Sequence, residues 1–402
     1  MQKEYNSKEK NMEKLKNVIF CKATIALLTV LVAVGCHHDD VEPETHVSQR
    51  TIIMFYPWTM NLKTFFEDNI DDFEDAIEEG ILNDERVVVC FSTKPSEALL
   101  IEISLENGKC RRDTFATLPY PDFTKTQDIS GMLSMVSGHA PARHYSMIAG
   151  GHGMAWLPAG YSPVQQAAGS WFDEMPLTRW FGDFTTGYQI DISTLANGIR
   201  NAGIHLDYIL FDDCYMSSVE VAYTMRDVTD YLIGCPSEIM IFGFPYYYCA
   251  RYLVGNPNYA TLCETFKKFY TEYEMPYGTV AVTDCHEVSK LAEIVRQINN
   301  TCTSTNYDKN DIQPMDGFDP PMFLDLGDTY EHLCVDSAML NSFRQQMAKT
   351  VPYKACTDSY YSTFSGVNKI FHYSGLTTSV ICNSAFHDLY NETEWHKATG
   401  KY

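Results

Sequence analysis

Short apolar runs alternate along this chain with segments in which apolar residues recur at helical spacing. Seven runs have the length and composition of buried β-strands: Thr51–Trp58, Arg86–Ser92, Leu99–Ser104, His144–Ala149, Tyr208–Phe211, Tyr231–Cys235 and Thr279–Thr283. Helical patterns accompany them at Leu62–Glu79, Asp128–Val136, Asp191–Asn201, Ser217–Asp227, Tyr259–Tyr273, Cys285–Ile298 and Asp336–Val351. Such alternation is typical of an α/β protein with a mostly parallel sheet covered by helices on both faces.

The same pattern predicts how the chain is divided. We expect a core over residues 50–298 and a smaller C-terminal subdomain over residues 299–402, with an extended stretch at Thr377–Cys382. Inside the core, Leu157–Thr186 is rich in Gly, Pro, Ser and Trp and has no clear periodicity. A long irregular loop inside a compact domain is usually functional or mobile.

A cysteine lies where one buried strand gives way to a helix. The apolar run Tyr208–Phe211 stops at Asp212, Asp213 and Cys214, and a helical pattern follows. In open α/β sheets, ligands and chemistry collect at this carboxyl end of a strand. A thiol there can gain from nearby helix N-terminal dipoles, which favour the thiolate. The alternative is core packing, because free cysteine is among the most buried residue types.

A histidine occupies the corresponding place after another predicted strand. The run from His144 to Ala149 leads into a turn in which Gly150 and Gly151 precede His152 and Gly153 follows it. Glycines let the backbone come close to a bound substrate. A histidine can take the proton of a thiol and return it to a leaving amine, so the pair predicts thiol acyl transfer. The order of His before Cys excludes a papain-like layout and fits a caspase-like one.

These stretches resemble the motifs of clostripain-family cysteine peptidases, a branch of the caspase-like proteases. The strongest matches are YSMIAGGHG at Tyr145–Gly153 and ILFDDCYM at Ile209–Met216, and weaker ones occur at Thr51–Trp58, Cys235–Glu238 and Gly278–Asp284. The resemblance implies a caspase-like α/β/α sandwich that covers nearly all of the chain after residue 50.

Two departures from the usual family pattern adjoin the predicted dyad. Asp213 stands where relatives usually carry a small residue, and Gly150 and Gly151 replace bulkier residues. A carboxylate next to a thiol tends to raise the pKa of the thiol. The departures therefore affect two properties, the shape of the substrate pocket and the acidity of the Cys214 thiol.

The resemblance implies a role for each of these residues in an endopeptidase. Cys214 would attack the scissile carbonyl, and His152 would act as base and then as acid. The backbone N–H groups of Gly153 and Cys214 would hold the oxyanion. Asp212 would line the primary specificity pocket and receive a substrate Arg or Lys; its alternative is a helix-capping or turn role.

The resemblance also implies self-cleavage between the two dyad residues. Arg179 is the only Arg or Lys in the Leu157–Thr186 segment, so we predict a cut after it. The alternative is that Trp171, Trp180 and Phe181 pin this segment into a packed cover and that no cut occurs.

The N-terminus has the pattern of an export signal. Lysines precede the apolar run Ala23–Val34, which is of signal-peptide length and short for a bilayer span. It ends at AVGC, which resembles a lipoprotein box with Cys36 as the lipidated residue. We therefore predict a signal peptide over residues 1–36, a tether over 37–49, and a lipoprotein of the bacterial outer membrane or cell surface. Ordinary cleavage near Gly35, or a retained anchor, is the alternative.

Composition limits the kinds of molecule that this chain is expected to bind. The formal net charge of −22 argues against nucleic acid, because phosphate binding needs clustered Lys and Arg. We expect a monomer that acts on proteins or peptides with basic residues and that contacts the membrane through its lipid only. Among the 13 cysteines no disulfide framework or zinc motif is evident, so we expect mostly buried free thiols.

The predicted chemistry needs no cofactor. The resemblance makes calcium a candidate, although the acidic residues between Asp308 and Asp319 lack calcium-loop spacing. Two other functions remain open: a surface-anchored binding protein on a peptidase scaffold whose dyad is idle, and a hydrolase of a non-peptide ester or thioester.

Overall fold

A central nine-stranded sheet organises the protein, as seen in a computed structural model that describes residues 46–59, 62–161, 188–304, 307–381 and 386–400. The strands of this sheet are β1 (Ser48–Tyr56), β2 (Glu85–Lys94), β3 (Glu97–Glu106), β4 (Lys109–Pro119), β5 (Ala142–Gly150), β6 (Leu206–Asp212), β7 (Thr229–Gly234), β8 (Thr279–Asp284) and β10 (Tyr353–Cys356). Their order across the sheet is β10-β8-β7-β6-β5-β1-β2-β3-β4.

The middle of the sheet is parallel and its edges are antiparallel. Strands β2, β1, β5, β6 and β7 run parallel to one another, β3 and β4 form antiparallel pairs at one edge, and β8 and β10 do so at the other. The parallel strands are apolar because helices cover both of their faces. In β1, for example, every residue from Arg50 to Tyr56 is buried.

Eleven helices lie within the described residues. They are α1 (Lys63–Glu78), α2 (Thr126–His139), α3 (Ile192–Asn201), α4 (Val219–Met225), α5 (Tyr246–Cys249), α6 (Tyr259–Glu272), α7 (Cys285–Thr301), α8 (Leu326–Leu333), α9 (Ser337–Thr350), α10 (His387–Asn391) and α11 (Glu394–Thr399). Two short 3₁₀ helices occur at Ala250–Tyr252 and Lys309–Asp311.

The helices form two layers. One layer contains α1, α5 and α6, and the other contains α2, α3, α4, α7, α9 and α11. The amphipathic pattern of α1 explains its place: Phe66, Ile70, Phe73 and Ile77 recur at helical spacing and are all buried. The predicted α/β/α sandwich with a mostly parallel sheet is confirmed.

The segment after residue 298 is joined to the rest through the sheet. Strand β10 pairs with β8, so the predicted C-terminal subdomain supplies an edge strand to the central sheet. The remaining strands form two small pairs, β11 (Ser359–Ser362) with β12 (Gly366–Lys369), and β9 (Leu324–Asp325) with β13 (Thr377–Thr378). Residues 47–402 form one compact unit, and the predicted boundary after residue 298 falls inside α7.

No helix in the described ranges combines the length and the apolar character that a bilayer span requires. The predicted signal peptide, the predicted lipidation site at Cys36 and most of the predicted tether lie outside those ranges.

Candidate active site

The ends of β5 and β6 bring the predicted dyad residues to one edge of the sheet. The two strands are parallel neighbours, and Gly150 pairs with Asp212 as the last pair in their register. His152 and Cys214 each lie two residues beyond that pair. This placement is the carboxyl edge of a parallel sheet, where α/β proteins collect their ligands.

The glycines around His152 pack tightly against protein groups. A Cβ built on Gly150 would lie 2.5 Å from the Phe66 ring and 2.7 Å from the Tyr56 ring. A Cβ on Gly153 would lie 2.2 Å from the carbonyl oxygen of Cys214. The sequence predicts close backbone approach here, and the structure shows that the close neighbours are side chains and the opposite strand end.

The thiol of Cys214 is fully buried against the segment that follows β7. Its Sγ accepts a hydrogen bond from the Ile239 backbone N–H at 3.3 Å. Burial raises the pKa of this thiol well above its ordinary range, and the carboxylate of Glu238 raises it further, while the Ile239 N–H lowers it. Burial therefore favours the protonated thiol over the thiolate.

We expect the N-terminus of the helix after Cys214 to favour the thiolate. The next helix, α4, begins only at Val219, and the Ser218 side chain caps it by accepting the Val221 N–H at 3.3 Å. Burial dominates the pKa of Cys214 and raises it, and the effect of this helix on the thiolate stays a prediction.

The segment that covers the thiol is anchored by a buried glutamate. Glu238 accepts hydrogen bonds from Tyr215 Oη at 2.8 Å, from Ser362 Oγ at 2.6 Å and from Thr363 Oγ1 at 2.9 Å. The backbone also pairs here, with Tyr215 N donating to Ser237 O. Sequence reasoning placed Glu238 in a weak family match but assigned it no role; its partners 124 and 125 residues away carry no local signal.

Asp212 and Asp213 take different surroundings at the end of β6. Asp212 is fully buried, and its carboxylate accepts from the Phe244 N–H at 3.0 Å and from Tyr246 Oη at 2.9 Å. Asp213 accepts from the Gly151 N–H instead. Successive side chains of a strand point to opposite faces, which explains the difference.

A cavity opens on the side of the sheet that Asp213 faces. Its wall combines residues at and after the ends of β1, β5 and β6 with residues before and within α3: Phe55, Pro57, Trp58, Thr59, Leu62, Ala149, Gly150, Gly151, His152, Gly153, Met154, Ala155, Leu157, Tyr188, Gln189, Ile190, Ile192, Leu195, Phe211, Asp213 and Met216. His152 and Asp213 are thus placed in one cavity. Cys214 and Asp212 lie outside this wall.

The remaining predicted site residues are placed as follows. A Cβ built on Gly153 would lie 2.2 Å from the carbonyl oxygen of Cys214, so the two backbones approach closely. The oxyanion role of their N–H groups stays a prediction. Arg179 and Cys36 lie outside the described residues. Within the described ranges, no group of three or more His, Cys, Asp or Glu side chains is placed to hold a metal ion, and calcium stays a prediction.

Comparison with known proteins gives one family. The sequence profile of peptidase family C11, the clostripain family, matches residues 58–397. The comparison with curated proteins gave no match.

Solved structures with this fold come from Bacteroides thetaiotaomicron and Parabacteroides distasonis. A secreted C11 cysteine protease from Bacteroides thetaiotaomicron, "iotapain", is 40% identical, with a TM-score of 0.81 over 88% of this chain and 100% of that one. A clostripain from Bacteroides thetaiotaomicron ATCC 29148, in complex with the peptide inhibitor BTN-VLTK-AOMK, is 46% identical, with a TM-score of 0.52 over 55% of this chain and 99% of that one. An inactive zymogen C11 protease from Parabacteroides distasonis shares the fold at 24% identity, with a TM-score of 0.76 over 89% of this chain and 99% of that one.

Proposed function

Because this chain belongs to the clostripain family of cysteine peptidases, we propose that it is an exported endopeptidase that cleaves after Arg or Lys with His152 and Cys214. The observation that carries the proposal is the register of β5 and β6, which sets both residues two positions beyond one strand pair. The two N–H groups proposed to hold the oxyanion, those of Gly153 and Cys214, follow the ends of the same two neighbouring strands.

In the proposed reaction, the Cys214 thiol first turns away from the Ile239 backbone. It then loses its proton to His152 and attacks the scissile carbonyl. The Gly153 and Cys214 N–H groups stabilise the oxyanion that forms, and His152 returns the proton to the leaving amine. Water then hydrolyses the thioester. This chemistry uses no metal or cofactor, so EDTA is expected to slow the enzyme only if calcium supports its structure.

The proposed specificity for basic residues rests on Asp212. A buried carboxylate can bind a guanidinium or an ammonium strongly once water is excluded. An ionised carboxylate has about four acceptor positions, so bonds from Phe244 N and Tyr246 Oη are compatible with a further donor. The relative with 46% identity was solved with an inhibitor whose peptide sequence, VLTK, ends in lysine.

The proposed location is outside the cytoplasm. The relative with 40% identity is described as secreted. In this chain, the apolar run that ends at Cys36 supports export with a lipid anchor on the outer membrane or cell surface. We further propose that the enzyme acts as a monomer on protein or peptide substrates.

A positional-scanning peptide library tests the proposal. Wild-type protein should cleave after Arg and Lys, and Cys214→Ala and His152→Ala should each abolish cleavage without changing thermal unfolding. Matched controls are Cys90→Ala, a buried thiol on β2, and His144→Ala, an exposed imidazole on β5, both of which should keep activity. Substantial activity in a folded Cys214→Ala or His152→Ala protein would refute the dyad.

One observation favours a second candidate, a binding protein on an idle peptidase scaffold. The Cys214 thiol is buried and its pKa is raised, which is the opposite of an activated nucleophile. A thiol-reactive peptide probe bearing Arg distinguishes the two: an idle scaffold leaves Cys214 unlabelled and cleaves no peptide in the library.

A further inference from the structure

The side chain before the predicted nucleophile touches the turn that carries the predicted base. Asp213 Oδ1 accepts a hydrogen bond from the Gly151 backbone N–H, with a donor–acceptor distance of 2.5 Å. Gly151 is the residue immediately before His152. The bond therefore ties the β6 end to the turn that orients the imidazole, across 62 residues of sequence.

The contact is close along the whole turn. Asp213 is only 6% exposed. A Cβ built on Gly153 would lie 2.8 Å from the Asp213 Cβ and 3.0 Å from Met216 Cγ. The turn is thus held from both of its ends, by a hydrogen bond at Gly151 and by van der Waals contact at Gly153.

Asp213 also supplies the negative charge of this cavity. Among the described residues of the cavity wall, it is the only one with a carboxylate, and His152 is the only one with a basic side chain. A carboxylate in such a place favours a protonated imidazole and disfavours a thiolate. Its charge therefore acts on both members of the dyad, in opposite senses.

The other titratable groups around the dyad lie on different elements. Glu238 and Cys235 act on Cys214 from the segment that follows β7. Tyr188, which precedes α3, lines the cavity. None of these three is on the turn that Asp213 holds.

We propose that Asp213 is a positioning residue for His152: its carboxylate fixes the Gly151–Gly153 turn and sets the charge balance between the imidazole and the thiol. The inference rests on the proposed His152–Cys214 dyad and goes beyond it, because it adds a third side chain that acts through His152. The two functions of the carboxylate, as an acceptor and as a charge, can be separated by substitution.

Asparagine keeps the acceptor and removes the charge, while alanine removes both. Asp213→Ala should lower kcat about tenfold or more with little change in KM, as expected when a charge-assisted hydrogen bond that orients a catalytic group is lost. Asp213→Asn should recover most of kcat, because its amide oxygen can accept the Gly151 N–H.

The pH profile of kcat/KM measures the effect of the Asp213 charge separately from the effect of its hydrogen bond. In Asp213→Asn both limbs should move to lower pH by about half a unit or more, since removing the carboxylate eases thiolate formation and weakens the hold on the imidazolium proton. The matched control is Asp227→Asn, which removes the same charge from an exposed side chain and should leave both limbs in place. Thermal unfolding and a gel of chain length, measured for every variant, ensure that folded protein in the same processing state is compared.

Any of three results would overturn the inference. The first is an Asp213→Ala protein with wild-type kcat, the second is an Asp213→Asn protein whose kcat matches that of Asp213→Ala, and the third is an Asp213→Asn protein whose pH limbs do not move. Cys214→Ala is assayed alongside: if it stays active, the dyad itself is misassigned, which is a different failure from an unresponsive Asp213.

Discussion

At the scale of single residues, two adjacent carboxylates do different things because a strand turns successive side chains to opposite faces. Asp212 is enclosed by the Phe244–Tyr246 segment, whereas Asp213 faces the cavity with His152. The resemblance to the clostripain family implies the specificity role of Asp212, which stays a prediction. The structure adds that Asp212 also holds the backbone next to it.

Asp212→Asn should reduce the preference for Arg and Lys over neutral residues by about 2–5 kcal/mol of transition-state binding, the usual cost of removing one partner of a buried charge pair. The measurement is kcat/KM on paired substrates that differ only in the residue before the cleaved bond.

The matched control for Asp212→Asn is Tyr246→Phe. It removes one hydrogen bond to the Asp212 carboxylate but leaves its charge, so the preference for basic residues should persist. If Asp212→Asn keeps that preference, the selecting carboxylate lies elsewhere, and Asp213 becomes the next candidate.

At the scale of elements, the buried strands in the middle of the sheet were more predictable than the edge strands. The apolar runs of β1, β5 and β6 reveal themselves because they are buried on both faces. Strand β4 was missed, since it is an edge strand whose residues are largely exposed and polar. Strand β10 was missed because it is an edge strand of four residues, too short for a clear pattern. Within the described part of the extended stretch expected at Thr377–Cys382, a strand forms at Thr377–Thr378.

The candidate site also has parts that the sequence predicts and parts that it does not. The positions of His152 and Cys214 follow from where two strands end, which local pattern reveals. The cover over Cys214 does not, because it depends on Glu238 bonding to Ser362 and Thr363 at the far end of the chain. Contacts between residues so far apart in the sequence produce no periodic pattern in it.

The segment between the dyad residues gives a prediction about processing. We expect wild-type protein to cut itself after Arg179, so that N-terminal sequencing finds a new terminus at Trp180. Arg179→Ala and Cys214→Ala should both remain uncut at this bond.

Arg200→Ala serves as the control for self-cleavage. Arg200 lies in the last turn of α3, where the backbone would have to unfold before entering an active site, so its replacement should not alter processing. An uncut wild type with full activity would contradict the prediction.

Two helix ends carry thiols that are close enough to join. Cys302 follows α7 and Cys334 follows α8; their Sγ atoms are 3.4 Å apart, and Val335 N donates to Cys302 O at 3.0 Å. Outside the cytoplasm we expect a thiol–disulfide exchange catalyst, or another disulfide donor, to take up both thiol hydrogens and leave a bond between the two sulfurs. Closing this loop should stabilise the fold by about 3–4 kcal/mol.

Intact mass after alkylation, with and without reductant, measures this crosslink. Oxidised wild type should gain two alkyl groups only after reduction and should lose thermal stability with the reductant, whereas Cys302→Ser should show neither effect. Cys110→Ser, which removes a half-buried thiol on β4, should behave as wild type. Alkylation of both thiols in oxidised protein would contradict the prediction.

At the scale of the whole molecule, acidity dominates. The net charge is −22, and several carboxylates are buried. Burial raises the pKa of Glu220 and of Asp325, and it raises the pKa of Asp316 to about 7. An acid whose pKa is higher in the folded than in the unfolded protein stabilises the fold at low pH, and that contribution is lost as pH rises towards the folded pKa.

The contribution of Asp316 to the free energy of unfolding should therefore depend on pH, and its direction can be predicted. Between pH 5 and pH 8 its contribution to the free energy of unfolding should fall by an amount on the order of 2 kcal/mol. Asp316→Asn lacks this term, so the stability advantage of wild type over the variant should shrink across that range. Urea unfolding at several pH values measures it.

The control variant for this pH term is Asp311→Asn, which alters an exposed acid five residues away. Its unfolding curves should stay parallel to those of wild type across the pH range. Parallel curves for Asp316→Asn would mean that Asp316 does not take up a proton near neutral pH in the folded protein.

The cover over Cys214 has a consequence for chemical lifetime. Oxidants attack thiolates, and a protonated thiol sealed from solvent is a poor target for them. The proposed nucleophile of an exported chain would thus stay reduced in an oxidising environment for as long as Ile239 lies over its sulfur. Once the thiol is uncovered and ionised for catalysis, the same atom is open to irreversible sulfinic acid formation. The resting protein, with its sulfur covered, would then resist oxidation for a long time, whereas the active protein, with its sulfur exposed, would be inactivated sooner.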